Sequence, residues 1–333
     1  MSTIAVLGAG GWGTALAVGL ARAGHRVTLC ARRADHVSAM RAQRENTPYL
    51  PGIALPESIQ LSGRWAEAAG ASEAVLMAVP SRFARAAMMP VGPALGAGAI
   101  LISVTKGIES DSLKTMTAML AEVAPAVKSL AVLSGPSFAG EVARGRPAAV
   151  VVAAHDEAVS RGVQALFASR SLRVYRSVDV DGVELAGAAK NVIAIAAGIS
   201  DGLDLGSSAR AALITRGLAE LTRLGLRAGA RAETIYGLAG LGDLVLTCAG
   251  DLSRNRALGL RIGQGGSVGA AVNPPPGHPV AEGMSNALSI KRLAERMGVE
   301  MPIVAAVCRV LYEGAPAKAM VEELLSRELK AEF

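Results

Sequence analysis

TIAVLGAGGWGTALAVGLARAGHRVTLC, residues 3–30, is the stretch whose reading decides the fold. Residues 3–7 are a short apolar run of strand character, and Gly8-Ala9-Gly10-Gly11-Trp12-Gly13 follows at once. The apolar spacing then becomes helical over residues 14–23, with Gly24 placed as the C′ residue that stops the helix. Residues 26–30 read as the next strand. A lone GxGxxG carries little information. Between a strand and a helix, in a strand–helix–strand unit of this length, it specifies a dinucleotide site. Gly8 permits the tight turn, Gly10 lets backbone approach a pyrophosphate, and Gly13 lets helix and strand pack closely. With Gly11 they bring the phosphates to the amides of a helix N-terminus.

The end of the second strand selects the cofactor. A site for NAD usually carries an acid there, ~20 residues on, to take the ribose 2′-hydroxyl. This chain has Cys30-Ala31-Arg32-Arg33 instead, and two guanidiniums suit a 2′-phosphate. Asp35 is the competing acid, but it stands where it would cap a helix beginning near His36. NADP(H) is the preferred cofactor, with NAD(H) also possible.

Outward from this unit, apolar strands alternate with helices. Strands are expected at 59–61, 74–79, 99–104, 130–133, 149–153 and 172–175, which with the first two makes about eight. That is an α/β, doubly wound and mainly parallel sheet, whose ligands bind beyond the carboxyl ends of the strands. The residues there are Val79-Pro80-Ser81, then Ser103-Val104-Thr105-Lys106-Gly107, then Ser134-Gly135-Pro136-Ser137-Phe138-Ala139. Each alone is compatible with ordinary turn chemistry, and Lys106 with a solvated loop lysine.

SVDVDG at 177–182 ends the alternation, and after it only helical stretches are expected: 183–199, 207–227, 256–264, 286–297, 301–313 and an outer 317–327. The boundary is placed at about 181, giving a nucleotide-binding domain over 1–181 and an all-helical domain over 182–333. Two glycine-rich turns, YGLAGLGD and CAGDLSRNR, deliver Asp243 and then Ser253, Arg254 and Asn255. Residues 265–279, with Pro274-Pro275-Pro276, read as an open loop. Residues 183–199, VELAGAAKNVIAIAAGI, are apolar on almost every face yet carry Lys190 near the middle. Such a helix belongs in a core. On the helix alone two readings stand: Lys190 snorkels to the surface beside Asn191, or it is buried, paired and shifted below its ordinary pKa of ~10.4.

Composition excludes several classes. With 333 residues, 51% hydrophobic and only 3% aromatic, the chain can build two domains on Ala, Val, Leu and Gly. Its net charge of +6 is spread along the chain, with no basic block of the kind nucleic-acid arms carry. Cys30, Cys248 and Cys308 are odd in number and far apart, against a disulfide framework or zinc site. The four histidines show no ligand spacing, so no metal is expected. A strand begins at the N-terminus with no secretory pattern, and the cytosol is the expected compartment.

Together the motifs resemble the bacterial type of NAD(P)-dependent sn-glycerol-3-phosphate dehydrogenase. The segments that carry the resemblance are GAGGWGTALA, TKGIE, SGPSFAGEVA, GAAKNVIAIAAGISDGL, ALITRGLAE, GLAGLGDLVLTC, SRNR and Glu282-Gly283, in order over almost the whole chain. The resemblance implies a Rossmann-type domain followed by an all-helical one, and a homodimer. It implies Lys190 as general acid/base at the substrate carbinol, Lys106 as a second lysine facing substrate, and Asp243 and Thr247 as their polar support. Arg254 and Asn255 match the substrate-phosphate pair, with Arg254 also near the cofactor. Gly135, Ser137 and Ser253 match further substrate contacts. Trp12, Arg32, Arg33, Lys106, Ala139, Val280 and Glu282 match cofactor positions. The proline-rich 265–279 departs from the more helical stretch the family usually shows before its Val-x-Glu-Gly.

The reaction so implied is reduction of dihydroxyacetone phosphate to sn-glycerol 3-phosphate, and its reverse, supplying phospholipid synthesis. Two rivals share the glycine loop. A 3-hydroxyacid or ketopantoate reductase lacks the combination of Lys106, Gly-Asp243-Leu and Ser-Arg254-Asn. A non-catalytic NADP-binding sensor has no use for Lys190 beside Asp243.

Overall fold

The computed structural model describes residues 1–268, 281–329 and 331. Ten strands lie among them: β1 Thr3–Leu7, β2 Arg26–Cys30, β3 Glu45–Asn46, β4 Leu50–Ala54, β5 Gln60–Ser62, β6 Ala74–Met77, β7 Ile100–Ser103, β8 Ser129–Ser134, β9 Ala148–Ala153 and β10 Leu172–Ser177. Eight form one sheet in the order β10-β9-β8-β7-β6-β1-β2-β5. All its pairings are parallel except β8 with β9. Both faces of the central strands are apolar and buried, as in a sheet covered by helices on both sides. The strand order reverses between β1 and β6, which opens a crevice at their carboxyl ends.

The covering helices are α1 Gly11–Arg22, α2 Ala34–Gln43, α3 Trp65–Gly70, α4 Ser81–Met88, α5 Met116–Val123, α6 Ala139–Ala143 and α7 Glu157–Phe167. Beyond the sheet lie α8 Val180–Gly202, α9 Gly206–Arg227, α10 Ala232–Tyr236, α11 Asp243–Ala249, α12 Arg254–Gly263, α13 Glu282–Met297, α14 Pro302–Tyr312 and α15 Ala317–Leu325. Thus all eight expected strands of the main sheet are present, and helices alone follow β10 among the described residues. The two-stranded antiparallel β3–β4 was not anticipated. β3 is only two residues long, and β4 contains Pro51-Gly52, a turn signal that reads against a strand.

Helix α8 is the axis of the helical half. Every residue from Val183 to Ile199 is buried, and α9, α11, α12 and α13 pack round it. Its apolar window is long enough to cross a bilayer, but it is wholly buried in protein. Helix α12 crosses α8 backbone against backbone. A Cβ on Gly198 would lie 2.0 Å from the Arg256 carbonyl oxygen, and one on Gly259 would lie 2.0 Å from that of Ile195. This crossing draws the start of α12 toward the middle of α8. Two buried glutamates cap helices other than their own. Glu184 accepts from the Thr117 amide (3.0 Å) and the Thr117 hydroxyl at the start of α5. Glu220 accepts from the Ile303 and Val304 amides at the start of α14. Burial raises both carboxyls to about 7, with those hydrogen bonds opposing it.

Three local readings are corrected. Asp35 does not cap α2: the helix starts one residue earlier, its N-cap is Arg33 with no side-chain cap bond, and Asp35 pairs with Arg33 at 3.4 Å. The 236–243 segment is not an open turn: Leu238–Gly242 is a π-helical turn, and Asp243 heads α11. CAGDLSRNR is partly helical, with α11 reaching Ala249 and α12 beginning at Arg254. In 236–243 the glycines masked the helical turn, because propensity counts glycine against a helix while close packing requires it.

Candidate active site

The loop after β1 has the geometry that its glycines predict. Gly8 has φ +118°, open to residues without a Cβ. A Cβ on Gly13 would lie 2.1 Å from the Gly8 carbonyl oxygen, so α1 can start this close to β1 only with glycine there. Among the described residues nothing lies within 4 Å of where a Gly10 side chain would be, and no side chain caps the first amides of α1. The unforeseen β3–β4 hairpin clamps this loop. Asn46 Nδ2 donates to the Ala9 carbonyl (3.0 Å) and Thr14 Oγ1 (2.7 Å), and Asn46 Oδ1 lies 2.9 Å from His36 Nε2.

From this loop a cavity of about 440 Å3 runs to α8. Gly11, Trp12 and Ala139 line it on the sheet side, with Lys106 and Ser137. Lys190, Asn191, Thr247, Ser253, Arg254, Asn255 and Glu282 line it on the helical side. At its floor is a buried charge cluster. Asp243, with a side chain 1% exposed, accepts from Lys190 Nζ and from Lys106 Nζ, both at 2.5 Å. Lys190 Nζ also donates to Thr247 Oγ1 at 2.6 Å, and Lys106 Nζ to the Gly135 carbonyl at 3.1 Å. The lysine side chains are 6% and 16% exposed. Snorkelling of Lys190, one of the two readings of its helix, does not occur. An ammonium has three donors, so one N–H of Lys190 remains for the cavity it lines.

Electrostatics follow from this placement. Burial lowers the Lys190 pKa to about 8; Asp243 opposes that shift and Lys106 adds to it. Burial also pushes the Asp243 carboxyl up, but the two ammoniums outweigh it and hold it below its ordinary value. Burial raises Glu282 at the cavity wall, against Arg254, Lys106 and Lys190. A lysine poised near neutrality beside an open cavity can hold a proton and also give it up.

Most of the expected residues are brought together here. Ser137 and Gly135 are joined by a hydrogen bond from Ser137 Oγ to the Gly135 carbonyl (3.0 Å), beside Lys106. Ser253 caps α12 through the Arg256 amide (3.2 Å) while its residue faces the cavity. Asn255 Nδ2 donates to Asn191 Oδ1 and its Oδ1 accepts from the Gly283 amide, each at 2.9 Å. Arg254 has no ion-pair partner among the described residues, which leaves its guanidinium unclaimed beside the cavity. Arg32 and Arg33 stand past the end of β2, exposed and outside the cavity lining. Val280 lies outside the described residues, as does most of the 265–279 loop. Two asparagines that sequence reasoning did not select, Asn191 and Asn286, are buried in the network; only their polarity on apolar helix faces signalled them.

The sequence matches two family models. NAD-dependent glycerol-3-phosphate dehydrogenase N-terminus covers residues 3–160, and NAD-dependent glycerol-3-phosphate dehydrogenase C-terminus covers 179–322. The chain belongs to the NAD-dependent glycerol-3-phosphate dehydrogenase family. The glycerol-3-phosphate dehydrogenase [NAD(P)+] of Geobacter sulfurreducens is 52% identical over 99% of this chain and 98% of its own. That of Thiobacillus denitrificans is 49% identical over 99% of both. The crystal structure of glycerol-3-phosphate dehydrogenase from Coxiella burnetii superposes with a TM-score of 0.93, at 41% identity over 97% of this chain and 98% of that one. As a member of this family the chain is an oxidoreductase that works with NAD or NADP. The α/β sheet followed by helices is the family fold.

The cavity suits such a cofactor on two further counts. Open space lies before the uncapped amides of α1, where a pyrophosphate would sit. The Trp12 indole Nε1–H, on the cavity wall, is buried with no acceptor among the described residues.

Proposed function

We propose that this protein reduces dihydroxyacetone phosphate to sn-glycerol 3-phosphate, reversibly, with Lys190 as the general acid/base. One observation carries the reading: a buried carboxylate grips two lysines at 2.5 Å on the floor of a cleft that begins at a dinucleotide loop. The chain divides in this reading near residue 181, into a nucleotide-binding part and a substrate-binding part.

Gly8–Gly13, Trp12, Ala139 and Glu282 would hold a nicotinamide dinucleotide, which when bound would supply or accept the hydride. The protein does the rest. In ketone reduction, negative charge develops on the carbonyl oxygen, and protonated Lys190 neutralises it and releases its proton to that oxygen. In the reverse direction, neutral Lys190 takes the hydroxyl proton. Asp243 and Thr247 fix the lysine and keep it cationic despite burial. Lys106 adds a second positive charge and limits the basicity of Lys190. Arg254, without an ion pair among the described residues, grips the phosphate by its fork, with Asn255 alongside. Gly135, Ser137 and Ser253 complete the substrate pocket.

Arg32 and Arg33 favour NADPH over NADH. Of the two, Arg32 is the freer, because Arg33 is held by Asp35. The family resemblance favours a homodimer in the cytoplasm that supplies phospholipid synthesis. The test is oxidation of NADPH and of NADH with dihydroxyacetone phosphate and with dihydroxyacetone. Fast turnover confined to the phosphorylated ketone supports the reading, and the NADPH/NADH ratio tests Arg32 and Arg33. No turnover with either ketone, with NADPH still bound, overturns it.

A further inference from the structure

Lys106 arrives at the cluster from a loop, and a loop does not hold an ammonium in place by itself. Its side-chain end is fixed by Asp243 and Gly135, and its stem lies on bare backbone: a Cβ on Gly187, one helical turn before Lys190, would sit 3.5 Å from Lys106 Cγ. Its main chain is fixed by a residue from another element. Asn286, on the second turn of α13 and 0% exposed, donates from Nδ2 to the Lys106 carbonyl at 3.0 Å. The same Nδ2 lies 3.4 Å from the Ala188 carbonyl on α8, and Oδ1 faces the Ser81 hydroxyl at 3.5 Å. Two carbonyls on one side and a hydroxyl on the other fix which end of the amide is which. Packing is so close that a Cβ on Gly107 would lie 2.7 Å from Asn286 Oδ1.

The chemistry of the position admits few residues. Only an uncharged –NH2 presents two donors to two carbonyls here at this size. Aspartate would face both carbonyls with a carboxylate, and alanine would leave them without a donor. Helix α13 also begins at the cavity wall: Glu282 lines the cleft, and the Gly283 amide donates to Asn255. One rigid helical turn therefore links the wall of the cofactor cleft to the loop that carries Lys106.

We propose that Asn286 is a positioning residue for the reaction: it ties Lys106 to α8 and α13, and so sets the distance between the Lys106 ammonium and the Lys190–Asp243 pair. This rests on the reading of Lys190 and Lys106 given above. Released from Asn286, Lys106 moves off the cluster, Lys190 loses a repulsive neighbour, and its pKa rises.

The test combines a double-mutant cycle with a pH profile. In Asn286→Ala, kcat with dihydroxyacetone phosphate falls by on the order of 10–100-fold, the scale of a misplaced reacting group. Its NADPH Kd, read by fluorescence in parallel, changes by less than kcat does. The alkaline limb of ketone reduction moves to higher pH. In the Lys106→Ala background, Asn286→Ala adds no further loss. Asn286→Ser, which keeps a hydroxyl donor, gives intermediate rates and carries the test if the alanine variant does not fold. Equal losses in both backgrounds, or an unmoved alkaline limb, overturn the role of Asn286 while leaving Lys106 intact. Wild-type turnover in Lys106→Ala alone overturns the reading of Lys106 and this inference with it.

Discussion

Asp243→Asn separates charge from shape at the centre of the cluster. The substitution keeps the side-chain volume and removes one negative charge held 2.5 Å from each of two ammoniums. Unit charges 4 Å apart at an effective dielectric of ~20 interact by about 4 kcal/mol, equivalent to roughly three pKa units. Water entry and outward rotation of Lys106 recover part of this, so the Lys190 pKa, about 8 in the native protein, falls further by roughly one to three units. The sign is specific. Asp243 raises that pKa, so its loss lowers it, and ketone reduction needs the protonated lysine. At pH 7.5 the protonated fraction of Lys190 then falls by between about threefold and about 200-fold, and kcat falls with it. Part of that loss returns as the pH is lowered toward 5.5, while the native enzyme declines only above its alkaline limb near pH 8. Steady-state NADPH oxidation across pH 5.5–10, with NADPH binding measured in parallel, reads this directly. An alkaline limb that stays in place or moves upward in Asp243→Asn would refute the electrostatic account.

The remaining variants probe single contacts. Lys190→Ala should lose on the order of 100-fold or more in kcat while NADPH binds normally, and near-native turnover would remove Lys190 from the chemistry. Arg254→Lys should raise KM for dihydroxyacetone phosphate more than it lowers kcat, because a lysine cannot hold a phosphate by a fork; an unchanged KM contradicts the phosphate role. Arg32→Ala should lower kcat/KM for NADPH about tenfold and leave NADH almost unchanged, the scale of one lost charge-assisted contact. Glu220→Gln tests stability linkage. The folded-state pKa of Glu220 is raised to about 7, so the native protein binds more protons than the unfolded one between its ordinary value of 4.5 and about 7, and it loses stability as the pH rises through that window. The glutamine variant lacks that slope, so its denaturation midpoint should gain on the native protein over the same range.

The sheet was legible because its central strands are buried on both faces and therefore read as apolar runs. Lys190 was legible as an anomaly, a cation inside an apolar helix, but its partner was named only by the family resemblance. Asp243 lies 53 residues away, and no local pattern encodes that pairing. The same limit hid Asn286, which meets the Lys106 carbonyl across 180 residues. Asn46 was hidden for a different reason: its hairpin is held by side-chain bonds to Ala9 and Thr14 rather than by a long alternating pattern. Glycine misled in one direction only. At Gly8 and Gly13 it marked a turn and a close approach, whereas in 236–243 it was read as an interruption and serves a π-helical turn.

The bridge from Lys106 to Asp243 spans 137 residues, and this imposes an order on the birth of the enzyme. The last strand of the sheet is complete at Ser177, whereas the carboxylate that holds both lysines is made later, at Asp243. At synthesis rates of ~5–20 residues per second, roughly 3–13 s separate the two events. During that interval the nascent chain already carries the glycine loop and Lys106 but not the carboxylate that anchors both lysines, so the charge cluster is assembled only once the helical half is being made.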